Sequence, residues 1–231
     1  MARDRIVIAT IMSWNIGLAE KIGEKIGRDV YLASEKSQLS VEYLKKINPR
    51  YIFFPHWSWI IPEKIYKNWE CVVFHMTDLP FGRGGSPLQN LIKMDIPTTK
   101  ISALKVIKEV DAGPIYFKKD LALHGSAEEI YKRASKIIFH EMIPFMIKNK
   151  PGPKPQSGEV VLFKRRTPAQ SSVAGLGSLR ELYDHIRMLD AECYPRAFLE
   201  TDRFKFEFSN ADLKGNSLMA EVKISSKEKQ G

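Results

Sequence analysis

The chain has 231 residues, enough for one full domain or a main domain with a small appendage. A hydrophobic fraction of 44% with 27% charged residues excludes a disordered chain, and no apolar run reaches the roughly 20 residues a membrane helix needs. The formal net charge of +9 admits phosphate-bearing partners but does not select one, because the basic residues are spread and interleaved with acids, as in Glu20, Lys21, Glu24 and Lys25.

The basic start, Met1-Ala2-Arg3-Asp4-Arg5, precedes an apolar run, Ile6 to Met12, that is too short for a signal peptide and lacks a small-residue cleavage site. Cys71 and Cys193 form neither a disulfide framework nor a metal-ligand spacing. A cytoplasmic setting with no membrane contact is expected.

In chain order, residues 5–12 read as a buried strand, followed by a helix over 16–27 with Ser13 or Asn15 as its cap. Residues 30–35 read as a strand, 40–48 as a helix capped by Ser40 and stopped before Pro49, and 50–55 as a third strand. A helical turn starts near Pro62, and 71–75 form a fourth strand ending on His75. Pro87 to Lys93 reads as a helix capped by Ser86. Residues 98–107 fit strand or helix, and 113–123 read as a strand after a turn. The longest helix covers 126–149, opened by a capping box of Ser126 and Glu129. Residues 151–158 continue a Pro/Gly/Lys linker; beyond it come a strand-like 160–166, an amphipathic helix over 178–190 capped by Ser178, an alternating strand over 203–213 and a polar tail over 225–231.

Strands alternating with helices predict an α/β fold with an open, mostly parallel sheet over residues 1–150, a linker over 151–158 and a small α+β region over 159–231. Such sheets bind ligands at the carboxyl ends of their strands, where His75 sits. The glycines of Gly82-Arg83-Gly84-Gly85 let a ligand approach the backbone, and Asp111, at the turn Asp111-Ala112-Gly113-Pro114, is a carboxylate able to orient a histidine. The run 53–62, with His56, Trp57 and Trp59, reads either as a hydrophobic corner or as a flat slot for an aromatic ring system.

Together these motifs resemble the folate-dependent formyltransferase family, whose pattern is a strand ending Asn-x-His, a Leu-Pro turn, an Arg-Gly loop into a helix and a later Asp-x-Gly-x-Ile. The matching residues are Val73-Phe74-His75, Leu79-Pro80, Arg83-Gly84-Gly85-Ser86-Pro87 and Asp111-Ala112-Gly113-Pro114-Ile115. The resemblance covers roughly residues 5–150 and departs at Val73, where the family has asparagine. It implies His75 and Asp111 as the catalytic pair. The 10-formyltetrahydrofolate site would comprise His56, Trp57, Ser58, Trp59 and Ile60 with Asp111, and Thr77, Arg83, Gly84, Gly85 and Ser86 would face the acceptor. No metal is expected, because the donor is already activated.

The wording of residues 74–92 and of 186–200 further resembles sugar-nucleotide N-formyltransferases of pseudaminic-acid-type pathways. That resemblance implies an acceptor that is a nucleotide-linked, UDP-carried 4-amino-4,6-dideoxy sugar, with no nucleic-acid partner and a possible homodimer. Two alternatives stay open: a methionyl-tRNA formyltransferase-like enzyme, and a non-catalytic folate or sugar-nucleotide binder in which Val73 has cost the activity.

Overall fold

A computed structural model describes residues 5–192 and 194–227. Cys193 and the last four positions of the expected polar tail lie outside the described residues. The chain divides into two compact units: one gathers the residues up to Gly84, Thr99–Leu121 and Lys132–Leu162, the other Gly85–Thr98, Ala122–Tyr131 and the chain from Phe163 onward.

The first unit is built on a sheet of six strands. Its elements are β1 (Arg5–Ala9), α1 (Ser13–Ile26), β2 (Asp29–Ala33), α2 (Val41–Ile47), β3 (Tyr51–Phe54), α3 (Glu63–Tyr66), β4 (Glu70–His75), the short β5 (Arg83–Gly84), β6 (Thr98–Lys105) and β7 (Ile115–Ala122). Strand order is β2-β1-β3-β4-β6-β7. The β1–β2, β1–β3 and β3–β4 pairs are parallel and β6 runs antiparallel to β4. The open α/β sheet is therefore present as expected. After β1 the chain adds β2 on one side and β3 on the other, so the order reverses at β1. A crevice forms outside the carboxyl ends of strands at such a reversal.

Alternation along the strands sends Val7, Ala9, Ile52, Phe54 and Cys71 to one face, where Leu44 and Ile47 of α2 and Ile65 of α3 complete a buried cluster. Ile6, Ile8, Phe53 and Val72 are equally buried on the alternate positions. A strand buried on both faces reads as a continuous apolar run, which is why β1, β3 and β4 were visible in the sequence. Each such side chain contributes about 1.5–3 kcal/mol by leaving water.

Several local expectations are corrected. The first strand stops at Ala9, and α1 begins behind Met12 with no side-chain cap. Neither Ser13 nor Asn15 caps it; Asn15 lies inside the helix and is buried with Ala19 and Ile22. Ser86 occupies the cap position of α4 (Pro87–Lys93), but at φ 51° its side chain makes no capping bond. Residues 98–105 resolve as strand. The helix expected over 126–149 is α5 (Ala127–Ile137) and α6 (Ile143–Asn149) joined by a π turn, Ile138–Met142. Pro144 explains the wider turn, since it has no N–H to give to the carbonyl four residues back and its ring would strike that carbonyl. The His140 carbonyl instead receives Lys25 Nζ at 3.4 Å. The Ser40 and Ser178 caps and the Ser126–Glu129 box are formed as expected.

The second unit holds α4, α7 (Leu179–Arg187) and an antiparallel sheet of β9 (Ala197–Glu200), β10 (Phe204–Lys214) and β11 (Ser217–Ser226), following the two-residue β8 (Leu162–Phe163). Sequence reading missed β9 and β11, and took Ser225 and Ser226 for tail, although they pair with Lys205 and Phe204. Edge strands carry polar residues on the solvent side, which weakens their signal. Arg187 is buried, and its charge is met by Asp184 Oδ1 at 2.6 Å and by the carbonyls of Leu123 and Gly125 at 2.8 and 3.0 Å. Asp190 accepts the Asn210 N–H at 2.7 Å.

Candidate active site

β4 ends on His75 at the carboxyl edge of the parallel strands, opposite Ser102 of β6. The loop that follows is fixed at several points. Ser102 Oγ donates to the Thr77 carbonyl at 2.7 Å, and Thr77 Oγ1 donates to the Gly82 carbonyl at 3.3 Å. Leu79–Pro80 is a cis peptide. Lys118 Nζ reaches the Leu79 carbonyl at 2.5 Å and pairs with Asp78, which Lys100 also approaches at 3.7 Å. Gly82 has φ 77°, a conformation a side chain would strain, and it turns its carbonyl to His75 Nε2 at 2.8 Å.

The other ring nitrogen of His75 faces Asp111. Nδ1 lies 3.5 Å from Oδ1, both side chains are largely buried, and Oδ2 accepts the Gly84 N–H at 3.0 Å. Both ring nitrogens thus face acceptors, a carbonyl and a carboxylate. A doubly protonated ring satisfies both, whereas a neutral ring satisfies one. Asp111 itself has φ 54°, in the left-handed region that aspartate tolerates better than most residues. Two residues on, a Cβ at Gly113 would overlap the Lys105 carbonyl oxygen, so the Asp-x-Gly spacing is dictated by the close approach of the turn to β6.

A second polar group lies where β1 and β3 end, at the reversal of strand order. Asn15 is fully buried, and its Nδ2 points at Thr10 Oγ1 (2.9 Å), His56 Nδ1 (3.1 Å) and, more weakly, the Pro55 carbonyl (3.5 Å). Its Oδ1 meets no donor among the described residues. His56 has φ 55°, its ring meets Trp14 edge-on, and burial pushes its imidazole down to about 4. It is therefore neutral at pH 7 and able to accept from Asn15.

The structure brings His75, Thr77, Arg83, Gly84 and Asp111 together in one group. Thr77 is fully buried and directed at the Gly82 carbonyl. Arg83 gives Nε and one terminal nitrogen to Gln156 Oε1 at 3.0 and 2.7 Å. Gly85 and Ser86 belong to the second unit. There Gly85 donates to the Phe163 carbonyl at 3.2 Å, and Ser86 Oγ meets Tyr194 OH at 2.8 Å and the Arg166 N–H at 3.1 Å. In the aromatic loop, Trp57 and Trp59 pack edge to face with centroids 4.8 Å apart, so no flat slot lies between them; Ser58 is exposed and Ile60 is 76% exposed. Val73 packs onto the apolar cluster of its face and brings no polar atom. Sequence reasoning missed Asn15 and Gln156. The signal for Asn15 was available: it shares the buried helical stripe with Ala19 and Ile22, where a polar side chain is out of place.

Among the described residues, no group of three or more His, Cys, Asp or Glu side chains is gathered to hold a metal ion, and no helix is long and apolar enough to cross a membrane.

The protein is of the open α/β class, with a histidine held between a loop carbonyl and an aspartate at the carboxyl edge of its sheet; comparison with known proteins gives its family. A solved structure, methionyl-tRNA formyltransferase from Clostridium thermocellum, is 51% identical with a TM-score of 0.95, covering 97% of this chain and 100% of that one. The chain belongs to the formyltransferase family. Residues 168–225 match the family model for the methionyl-tRNA formyltransferase C-terminal domain. The methionyl-tRNA formyltransferases of Thermodesulfovibrio yellowstonii and Campylobacter jejuni are 24% and 26% identical, covering 77% and 82% of this chain. The aligned parts span only 59% and 63% of those two relatives. A sugar N-formyltransferase from Shewanella shares the fold at 16% identity and a TM-score of 0.70, covering 92% of this chain and 99% of that one.

These findings correct the sequence reading of the acceptor. The expected nucleotide-linked amino sugar, the pseudaminic-type affinity and the absence of a nucleic-acid partner are overturned, because the 51% identical structure and the curated relatives at 24% and 26% are methionyl-tRNA formyltransferases, whereas the sugar N-formyltransferase shares 16%. The physical reason is that the His75, Leu79-Pro80, Arg83-Gly84 and Asp111 motifs carry the resemblance to the formyltransferase family as a whole. They carry no information about which amine is formylated.

Proposed function

We propose that this protein moves the formyl group of 10-formyltetrahydrofolate to the α-amine of methionyl-tRNA. The observation that carries the reading is His75 at the end of β4, held between the Gly82 carbonyl and the Asp111 carboxylate. The acceptor is supported by the whole-length similarity to a methionyl-tRNA formyltransferase and by the C-terminal family match. A net charge of +9 suits a polyanionic acceptor.

In this reading the neutral amine attacks the formyl carbon, forming a C–N bond while the carbonyl oxygen becomes an oxyanion. That oxygen replaces the Gly82 carbonyl as the acceptor at His75 Nε2, and Asp111 stabilises the charged ring from the other side. The bond from carbon to N10 of the folate then breaks, a proton leaves the attacking nitrogen, and N10 takes one up. The folate is assigned to the loop of His56, Trp57, Ser58, Trp59 and Ile60, and the acceptor to the side of Arg83 and Gly84. Thr77 supports the Gly82 carbonyl from behind. The catalytic role falls to the first unit, which holds His75, Asp111 and the segment 151–158, and the accessory role to the second. A cytoplasmic location agrees with the buried free thiol of Cys71.

The test is to mix the protein with 10-formyltetrahydrofolate and methionyl-tRNA, cleave the ester and weigh the amino acid. Formylmethionine is expected, and tRNA binding should weaken steeply with salt. Methionine alone, despite measurable folate binding, would overturn the reading in favour of a non-catalytic binder, the alternative that Val73 supports.

A further inference from the structure

The Pro/Gly-rich segment that reads as a linker is fastened to both sides of the His75 centre. Lys154 exchanges backbone hydrogen bonds with Ile115 at 2.7 and 2.8 Å. Two residues later Gln156 spends its whole amide. Its Oε1 accepts from Arg83 Nε and Nη2 at 3.0 and 2.7 Å, and its Nε2 donates to the carbonyls of Asp111 and Gly113, each at 2.8 Å. Further along, the Val161 carbonyl accepts the N–H groups of Gly82 and Arg83 at 2.9 and 3.0 Å.

The two loops joined by Gln156 are the two that flank the imidazole. One presents the Gly82 carbonyl to Nε2, the other presents Asp111 to Nδ1. Asp111 needs outside support, because its left-handed backbone is a sparsely populated conformation that persists only where surroundings impose it. A glutamine fits this place chemically. It offers two donors to two carbonyls and one acceptor to a guanidinium, whereas glutamate lacks the donors and alanine lacks both.

We infer that Gln156 is a positioning residue for formyl transfer: it sets the spacing of Asp111 and the Gly82–Gly84 loop about His75. The inference rests on the formyl-transfer reading. It does not make Gln156 a catalytic residue, since no reacting atom is required to touch it.

Three variants test it in the full-length protein: Gln156→Ala, Gln156→Glu and Gln156→Ala combined with Asp111→Asn. Displacement of about 1 Å at a reacting centre costs about 10²-fold, so kcat should fall on the order of 10- to 100-fold in both single variants. KM for 10-formyltetrahydrofolate should change by less than about 3-fold, since uniform binding is untouched. Gln156→Glu keeps its acceptor toward Arg83 and turns a carboxylate on the two carbonyls, so it should be no better than alanine. It also serves if Gln156→Ala does not fold. In the Asp111→Asn background the second substitution should cost less than it does in the wild type, because part of its effect is exerted through Asp111 and only the part through the Gly82–Gly84 loop remains. The ¹⁵N imidazole resonances of His75 should shift in each single variant, a readout independent of turnover. Wild-type kcat in the single variants, full additivity in the double variant or unmoved His75 resonances would each overturn the inference. An inactive wild type whose His75 resonances still respond to Gln156 would instead remove the formyl-transfer reading and leave the positioning contact standing.

Discussion

His75 and Asp111 face each other across 3.5 Å at the carboxyl edge of the sheet, with the second aspartate oxygen anchored by the Gly84 N–H at 3.0 Å. The anchoring directs Oδ1, and only Oδ1, at the ring. The carboxylate thus faces one ring nitrogen and the Gly82 carbonyl the other, at 2.8 Å.

Asp111→Asn removes that charge while preserving size. The expected outcome is a loss of about 10²–10⁴ in kcat, the range of a positioned proton-transfer or charge-stabilising group, with little change in folate KM. Steady-state kinetics at saturating acceptor checks it. A loss confined to KM would mean that Asp111 holds substrate and does not act through His75.

His56 carries a pH prediction. Burial holds its folded pKa at about 4, well below the value of about 6.5 expected when unfolded. Between those values the unfolded state binds a proton that the folded state refuses, so stability falls as pH drops from about 6.5 to about 4. The loss amounts to about 3 kcal/mol when complete. Urea melts of wild type and His56→Gln at pH 7, 5.5 and 4.5 should show a shallower acid decline in the variant. Parallel declines would place the sensitivity on other groups.

Gly113→Ala should be poorly tolerated. The added methyl would overlap the Lys105 carbonyl oxygen, so the turn must move, at a cost of about 1–3 kcal/mol or more for overpacking against backbone. Because Asp111 rides on the same turn, the midpoint of thermal unfolding and kcat should fall together. An unchanged kcat in a destabilised variant would separate the turn from the site.

Cys71 is buried in β4, and burial pushes its thiol up to about 12. Alkylating reagents act on the thiolate, so the peptide carrying Cys71 should stay unlabelled at pH 8 in the native protein and be labelled fully in denaturant. Labelling in the native state would show that β4 opens readily.

The sheet was legible because β1, β3 and β4 are continuous apolar runs between helical segments, and His75 and Asp111 were legible because each closes a motif. Asn15 was not, since a polar residue near a helix start reads as a cap until the buried stripe Asn15, Ala19 and Ile22 is seen from its contacts. Gln156 was hidden for another reason. Its partners, Arg83, Asp111 and Gly113, lie more than forty residues away along the chain, and a Pro/Gly-rich segment carries no periodicity to show that it is pinned. Ser86 illustrates the reverse error: the Ser-Pro pair fits a capped helix, yet the hydroxyl is engaged by Tyr194 and the Arg166 N–H. The acceptor could not be read at all, because the motif residues mark the family and are indifferent to what bears the amine.

The most direct measurement of the central claim is single-turnover transfer from 10-formyltetrahydrofolate to methionyl-tRNA by wild type and His75→Ala, each present in excess over the tRNA. The account predicts complete conversion by wild type and a rate lower by about 10²-fold or more in the variant, with tRNA binding unchanged. Equal rates in the two proteins would contradict the assignment of His75 as the group that stabilises the reacting formyl oxygen.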